Sequence, residues 1–340
     1  MFIKPIIFRQ PSGRRQMNIK SFFRVCILGI VIGFISITGA SAKTVIKFAT
    51  GASGDHIDIE IANRLAAEIE KRVPGKVEFK IFPGGQLGKQ KAVMSGLQRG
   101  THQLSLSASP MASIEPIYGV FEAPFLFANR TEAIKVIDAL LDDIKRSVLK
   151  KNVKVIAIGS LGFRQISNNV RAIVKPADLD GVKLRTPGNP FRIETFKTFG
   201  ANPTPMSFGE VYVALRQGVI DGQENPLGSI WGGKFHEVQK HISMSNHIFT
   251  PNSLVASKMV WDTWPKEVQD AVQDAGESVM RWSFERDLER ENSLRGKMEE
   301  FSEFNNIDTD AFKKAAAPLY PKIKAKVGDD IWAKVEAALN

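Results

Sequence analysis

Short apolar or alternating runs are separated by longer amphipathic runs along most of the chain. Residues 77–82 alternate with the period of a β-strand, and residues 56–72 repeat apolar side chains with the period of a helix. Strands that alternate with helices at this spacing are typical of α/β lobes with largely parallel strand pairing. The predicted strands are residues 44–49, 77–82, 104–107 and 153–158, and the predicted helices are residues 56–72, 87–97 and 133–149.

The longest stretch of helix-forming composition follows Pro265. Between this proline and about Phe304, only Gly276 and Gly296 interrupt the pattern. A continuous helix of roughly 40 residues would measure roughly 60 Å, which exceeds the width of a single lobe. The pattern therefore predicts one long helix that spans two lobes. The alternative is two helices broken near Gly276.

The first 42 residues have the pattern of a secretory signal. All six charged side chains before Lys43 are basic, an apolar core follows at residues 25–37, and residues 40–42 are small enough for cleavage. The core of 13 residues is short for a membrane-spanning helix, which needs about 20. We therefore expect cleavage near Ala42 and export to the periplasm, and an uncleaved membrane anchor is the alternative. Met17 is an alternative start of the chain.

The predicted signal accounts for most of the basic charge. Removing its six basic residues lowers the formal net charge from +10 to +4, which leaves little support for nucleic-acid binding. The only cysteine, Cys26, lies in the apolar core of the signal, so the processed chain offers no disulfide, thiol nucleophile or thiolate metal site. About 300 residues remain, which is enough for two lobes.

The motifs of common enzyme classes are incomplete in this chain. Residues 84–89 resemble a phosphate-binding loop, but Pro83 stands where the motif needs glycine, and Gln90 replaces the Ser or Thr that binds the metal. His236 begins a sequence similar to a zinc-protease motif, but His241 comes one residue too late to share its helical face. We therefore predict a protein that is not an enzyme and that has no metal site and no cofactor.

Arg185 and Asn225 have the chemistry of a carboxylate site. Arg185 lies at the end of a short predicted strand, and Asn225 directly precedes Pro226, which stops regular structure. A guanidinium can donate two coplanar hydrogen bonds to the two oxygens of a carboxylate, which an ammonium cannot do. Taken alone, Arg185 has a surface arginine as its alternative interpretation.

Six motifs occur in a fixed order along the chain. They are Phe-Pro-Gly-Gly-Gln-Leu-Gly at 82–88, Glu-Ala-Pro-Phe-Leu-Phe at 122–127, Gly-Phe-Arg-Gln at 162–165, Asp-Leu-Asp-Gly-Val-Lys-Leu-Arg-Thr-Pro at 178–187, Asn-Pro-Thr-Pro-Met at 202–206, and the run from Phe-Gly-Glu-Val-Tyr at 208 to Asp-Gly-Gln-Glu-Asn-Pro at 221–226. In this order they resemble the solute-binding proteins of tripartite ATP-independent periplasmic (TRAP) transporters, in particular the dicarboxylate-binding-protein (DctP-like) family. The resemblance implies an α/β periplasmic-binding-protein fold with two lobes that close on a ligand like a flytrap, and a long helix across both.

The resemblance implies four ligand contacts in the second lobe. Arg185 matches the arginine that binds the ligand carboxylate in most members, and Arg164 matches a second arginine near the same group. Asn225 matches the amide that completes this carboxylate clamp. Phe208 matches an aromatic residue that packs on the ligand, although a core position is the alternative for a phenylalanine at the start of an amphipathic helix.

The first lobe departs from the sialic-acid-binding branch of the family. Gly51, Gln90 and Ala108 stand where that branch has polar or acidic residues, and Met111 replaces a further arginine. We therefore expect a carboxylate ligand other than sialic acid, smaller or more apolar. The predicted first-lobe contacts are Gln90, Ser109 and His56, with Ser107 as a further hydrogen-bonding group.

The resemblance also implies lobe boundaries and partners. We expect the first lobe at residues 43–162 plus about 251–290, and the second at 163–250 plus about 291–340. The implied function is capture of an organic acid in the periplasm and its delivery to the membrane subunits of a sodium-coupled transporter. The alternatives are a ligand receptor for a sensor kinase and, from a different class, a secreted enzyme that acts on carboxylates.

Overall fold

The computed structural model describes Lys43–Asn340, so the predicted signal lies outside the described residues. In this part of the chain no helix combines the length and the apolar composition needed to cross a membrane. The strands are β1 (Thr44–Ala49), β2 (Val77–Phe82), β3 (Leu104–Ser107), β4 (Val153–Phe163), β5 (Gln165–Asn168), β6 (Lys183–Thr186), β7 (Asn202–Pro205), β8 (Gly222–Asn225), β9 (His241–Met244), β10 (Phe249–Ser257) and β11 (Glu303–Asn306). The helices are α1 (Ile57–Arg72), α2 (Gln90–Gln98), α3 (Arg130–Leu149), α4 (Pro190–Thr198), α5 (Val211–Arg216), α6 (Leu227–Gly232), α7 (Lys258–Trp261), α8 (Lys266–Met298), α9 (Thr309–Ala316), α10 (Leu319–Val327) and α11 (Asp329–Leu339).

The strands form two sheets, as a two-lobed α/β fold requires. The first sheet has the order β2-β1-β3-β10-β4, and the second has the order β11-β9-β5-β8-β6-β7. The expectation of largely parallel pairing needs correction, because both sheets are mixed. β1 and β6 run parallel to their neighbours, whereas β10 and β5 run antiparallel to theirs. The chain enters β10 and β5 directly from the other sheet, without the crossover connection that parallel neighbours need.

Two direct strand-to-strand crossings connect the sheets, and α8 makes a third connection, from β10 to β11. β4 ends at Phe163 and β5 begins at Gln165, so Arg164 alone separates a strand of the first sheet from a strand of the second. The return crossing, residues 245–248, leads from β9 to β10. The two crossings are joined where the backbone N–H of Arg164 donates to the carbonyl of Ile248 at 3.0 Å. Arg164 therefore lies at the boundary between the two sheets.

α8 is a single helix of 33 residues, which confirms the predicted long helix. It is about 50 Å long, and it packs against β4 and α1 on the side of the first sheet and against α6 on the side of the second. No break occurs at Gly276, although the helix ends at Met298 rather than near Phe304. Gly276 allows close packing on the first sheet, because a Cβ there would lie 2.7 Å from Cγ2 of Ile156 and 2.9 Å from Cδ2 of Leu254.

The segment that follows α8 contacts both sheets. β11 joins the second sheet. However, α10 packs against residues 116–122 and α11 packs against α3, which itself covers β4 of the first sheet. Trp332 and Val335 of α11 are buried in the same core as Leu140 of α3. The apolar face of α11 thus places it on the first-sheet side. The lobe boundaries stay a prediction.

Candidate ligand-binding site

A cavity of about 70 Å³ is lined by residues of both sheets and their connections. In the described residues, no cluster of three or more His, Asp or Glu side chains is placed to hold a metal ion. The structure brings together in this cavity all seven residues of the predicted site: Arg185, Arg164, Asn225, Phe208, Gln90, Ser109 and His56.

The register of the second sheet gathers the three residues of the predicted carboxylate clamp. Arg185 of β6 is paired with Gln223 of β8, and Gln165 of β5 is paired with Asn225 of β8. Because β8 lies between β5 and β6, Arg164 and Arg185 approach Asn225 from opposite sides. Residues separated by some 60 positions in the sequence therefore meet at one end of one strand.

Arg185 is a buried cation without an acidic partner. It is only 2% exposed, and its Nε and Nη2 both donate to the carbonyl oxygen of Met206, at 3.0 and 2.7 Å. It forms no ion pair with any carboxylate in the described part of the chain. Burial lowers the pKa of the Arg185 guanidinium to about 9, because loss of water disfavours the charged form. Buried charges are normally paired, so this group has the capacity to bind an anion.

Arg164 belongs to a buried ion-pair network centred on Glu224. Its Nε contacts the Glu224 carboxylate, and its Nη2 donates to Oε1 of Glu224 at 3.0 Å and to Oδ1 of Asn225 at 2.9 Å. Arg192 joins the network from α4, with Nη1 2.6 Å from Glu224 Oε2 and Nε 2.9 Å from Glu122 Oε2. Burial alone would raise the pKa of Glu224, but the charges of Arg164 and Arg192 hold it below its ordinary value. The network fixes Arg164 in place and orients the amide of Asn225.

The wall on the first-sheet side is built around the N-terminus of α1. Nδ1 of His56 accepts from the backbone N–H of Asp58 at 3.1 Å, so the ring proton is on Nε2, which donates to Oγ of Ser229 at 3.1 Å. Burial lowers the pKa of His56, which keeps the ring neutral near pH 7. Phe208 packs edge-on against this ring, with centroids 5.4 Å apart. His56 therefore caps a helix and bridges the two sides of the cavity.

The remaining predicted contacts lie beside further bridges between the two sides. Gln90 is the first residue of α2, and the adjacent Lys89 pairs with Glu210 at 2.5 Å. Ser109 is buried, and its carbonyl oxygen accepts from Nδ2 of Asn189 at 3.1 Å. Both residues therefore occupy positions at which the first-sheet side meets the second.

Residues 48–326 match the family described as "Bacterial extracellular solute-binding protein, family 7", the DctP family. The chain belongs to this family. Its members are the periplasmic solute-binding proteins of TRAP transporters, which are binding proteins and not enzymes.

Relatives of known specificity cover most of this TRAP solute-binding protein. The 2,3-diketo-L-gulonate-binding periplasmic protein YiaO of Escherichia coli (strain K12) is 38% identical over 214 residues, 61% of this chain and 65% of that protein. A similar solved structure is that of the sugar acid binding protein DctPAm from Advenella mimigardefordensis in complex with galactonate. Its sequence is 30% identical, its TM-score is 0.81, and the match covers 87% of this chain and 98% of that chain. A TRAP solute-binding protein from Polaromonas sp. JS666 bound to D-erythronate is 28% identical with a TM-score of 0.82, with the same coverage of 87% and 98%.

Sequence reasoning missed four charged residues of this TRAP solute-binding protein. Glu224, Arg192 and Glu122 form the network behind the clamp, and Asp58 lines the cavity. The sequence indicates two of them by their positions in motifs. Glu224 lies in the Gln-Glu-Asn-Pro motif, and Glu122 begins the Glu-Ala-Pro-Phe-Leu-Phe motif. Arg192 and Asp58 lie outside the six motifs.

The buried His247 makes the stability of this TRAP solute-binding protein sensitive to acid. Its Nε2 lies 3.1 Å from Glu224 Oε2, and burial lowers its pKa to about 4. Unfolded histidine has a pKa of about 6.5, so between these values the unfolded chain binds a proton that the folded protein does not. We therefore expect the free energy of unfolding to fall as the pH decreases from 6.5 to 4. Urea unfolding at pH 7 and pH 5 measures this, and equal stabilities would contradict it.

Proposed function

We propose that this protein captures a small organic acid in the periplasm, after signal cleavage near Ala42, and delivers it to the membrane subunits of a sodium-coupled TRAP transporter. The observation that carries the proposal is the buried, unpaired guanidinium of Arg185 in the cavity. A planar guanidinium is suited to a carboxylate in particular, since its donors match the two carboxylate oxygens. The named ligands of the relatives, galactonate, D-erythronate and 2,3-diketo-L-gulonate, are all carboxylates.

The second-sheet residues act on the carboxylate in this proposal. Arg185 donates to the carboxylate through the part of its guanidinium that is not engaged with Met206. Asn225 donates through its amide, which is held by Arg164 and by Oε1 of Gln223 at 2.5 Å. Phe208 packs on the ligand chain, and the first-lobe contacts are Gln90, Ser109 and His56.

The acid is captured when the first-sheet side and the second-sheet side of the cavity close on it. Each charge-assisted hydrogen bond contributes about 1.5–3 kcal/mol net. Exclusion of water by the bridging contacts strengthens the attraction, because the effective dielectric constant falls. The acid favours the closed arrangement by this additional interaction and shifts the population towards it.

A thermal-shift screen of residues 43–340 against small organic acids tests the proposal, with neutral sugars and amino acids as controls. A ligand at 100 times its Kd adds about 2.7 kcal/mol to the stability of the folded state, which raises the Tm by several degrees. We expect carboxylates to raise the Tm and the matching neutral sugars to leave it unchanged. A shift with neutral sugars alone would overturn the carboxylate assignment.

Gly232 permits the two sides to approach. It ends α6 next to Trp231, whose Nε1 donates to Oδ2 of Asp55 at 2.8 Å. A Cβ at position 232 would lie 2.7 Å from the carbonyl oxygen of Asp55 and 2.8 Å from Cβ of His56. Overpacking of this kind costs about 1–3 kcal/mol, so we expect Gly232→Ala to raise the Kd of the acid found in the screen roughly tenfold. Isothermal titration calorimetry measures the change.

Gly228→Ala is the matched control for this variant. Gly228 lies in the same helix, and a Cβ there would meet no atom closer than Nε of Arg290 at 3.6 Å, an ordinary contact. We expect the control to bind like the unaltered protein. Equal dissociation constants for Gly232→Ala and Gly228→Ala would show that the approach at Gly232 does not contribute to binding.

A further inference from the structure

Asp58 places a negative charge in the cavity wall on the first-sheet side. It is the second residue of α1, its side chain is 14% exposed, and it lines the same cavity as Arg185. Arg185 belongs to the second sheet, whereas α1 follows β1 of the first sheet. An acid held by Arg185 across the cavity therefore directs its far end towards the first-sheet wall that contains Asp58.

The partners of Asp58 are neutral hydrogen-bond donors. Oγ1 of Thr50 donates to Oδ2 at 3.1 Å, and Nδ2 of Asn252 donates to Oδ1 at 2.9 Å. His56 Nδ1 lies 3.7 Å from Oδ1, but this nitrogen already accepts the backbone N–H of Asp58 and so has no proton to donate. Asp58 forms no ion pair with a lysine or arginine in the described part of the chain. Its negative charge is supported instead by the N-terminal end of α1.

An uncompensated carboxylate distinguishes between ligand groups by charge. A hydroxyl group donates a charge-assisted hydrogen bond to it, which is stronger than a bond between neutral groups. A second carboxylate at the same place meets a like charge in a site partly removed from water, where repulsion is larger than in bulk solvent. Thr50, Asn252 and Ser229 also line this part of the cavity and offer neutral polar partners to hydroxyl groups.

We propose that Asp58 determines specificity, so that the cavity accepts a monocarboxylate with hydroxyl groups at its far end and rejects a dicarboxylate. The inference rests on the proposed function, since it takes the carboxylate of the ligand to be bound by Arg185.

Two pairs of acids test the proposal, because the members of each pair differ only at the far end. D-erythronate and meso-tartrate share their inner hydroxyl groups, as do D-galactonate and galactarate, and the second member of each pair has a carboxylate in place of the terminal hydroxymethyl group. We expect the unaltered protein to bind at least one monocarboxylate at least 30-fold more tightly than its paired dicarboxylate. Isothermal titration calorimetry at pH 7.5 gives the ratio of the two dissociation constants.

Asp58→Asn removes the charge and keeps the shape of the side chain. We expect it to reduce the ratio at least tenfold, mainly by strengthening dicarboxylate binding, which a merely structural loss would not do. Asp138→Asn is the control, since Asp138 is 49% exposed on α3 and pairs with Arg281 at 3.2 Å. We expect this control to leave the ratio unchanged.

The outcomes separate the two proposals. An equal ratio in the unaltered protein and in Asp58→Asn would overturn the role of Asp58 while the capture of acids stands. A preference of the unaltered protein for the dicarboxylates would also overturn the role of Asp58. This result comes from the unaltered protein alone, so it does not depend on whether a variant folds. If none of the four acids binds to the unaltered protein or to Asp58→Asn, the proposed preference for a hydroxylated monocarboxylate is overturned, whereas capture of acids in general is decided by the thermal-shift screen.

Discussion

Replacing Glu224 with glutamine lowers the free energy of unfolding by about 3–5 kcal/mol, because it leaves buried cations without their carboxylate. Arg164 loses its ion pair completely, and Arg192 keeps only Glu122. Glutamine has nearly the shape of glutamate, so the loss comes from charge and not from a cavity. Urea unfolding followed by tryptophan fluorescence measures the difference from the unaltered protein.

An exposed ion pair provides the control for Glu224. Glu210 pairs with Lys89 but is 43% exposed, and such surface pairs contribute about 0–1 kcal/mol. We therefore expect Glu210→Gln to change stability by less than about 1 kcal/mol. The double variant Glu224→Gln, Arg164→Met removes one uncompensated charge and should recover part of the loss. A loss for Glu224→Gln as small as that for Glu210→Gln would contradict the role of the buried network.

Local patterns were sufficient for the elements with a regular repeat of apolar side chains. β1 and β2 have the predicted bounds, and α1 begins one residue later than predicted. The long helix was predictable because no proline occurs between Lys266 and Met298. The clamp residues Arg164, Arg185 and Asn225 were also within reach, because each lies in one of the six ordered motifs.

Pairs that form across the fold were beyond such reasoning. Arg192 and Glu122 are 70 residues apart, and no local period connects them. Their contact depends on how α4 packs against residues 116–122. Asp58 belongs to a helical turn that is also typical of a solvated helix start, and only the opposing wall of the cavity gives it a role. The position of α11 depends on the apolar face of α3, which the order of the strands does not indicate.

Replacing Arg185 with lysine weakens binding of the captured acid at least tenfold. Lysine retains a positive charge, but one ammonium cannot bond to the carbonyl of Met206 and to both oxygens of a carboxylate in one plane. Burial also acts on the new group. Burial lowers the pKa of Arg185 to about 9. Lysine has a lower ordinary pKa, about 10.4, so the same burial brings the pKa of the new ammonium closer to neutral pH. We therefore expect part of the variant to be uncharged at pH 8.

The pH dependence of binding separates these two effects in the lysine variant. A lysine that is partly neutral at pH 8 becomes fully charged at lower pH, so we expect Arg185→Lys to bind more tightly at pH 6 than at pH 8. Arg185→Ala should show no such gain, and Arg216→Lys, at an exposed position on α5, should bind like the unaltered protein. Isothermal titration calorimetry of the unaltered protein and the three variants at both pH values gives the dissociation constants. An unchanged dissociation constant for Arg185→Lys would contradict the carboxylate clamp, because neither the geometry nor the charge of the guanidinium would then matter to the ligand.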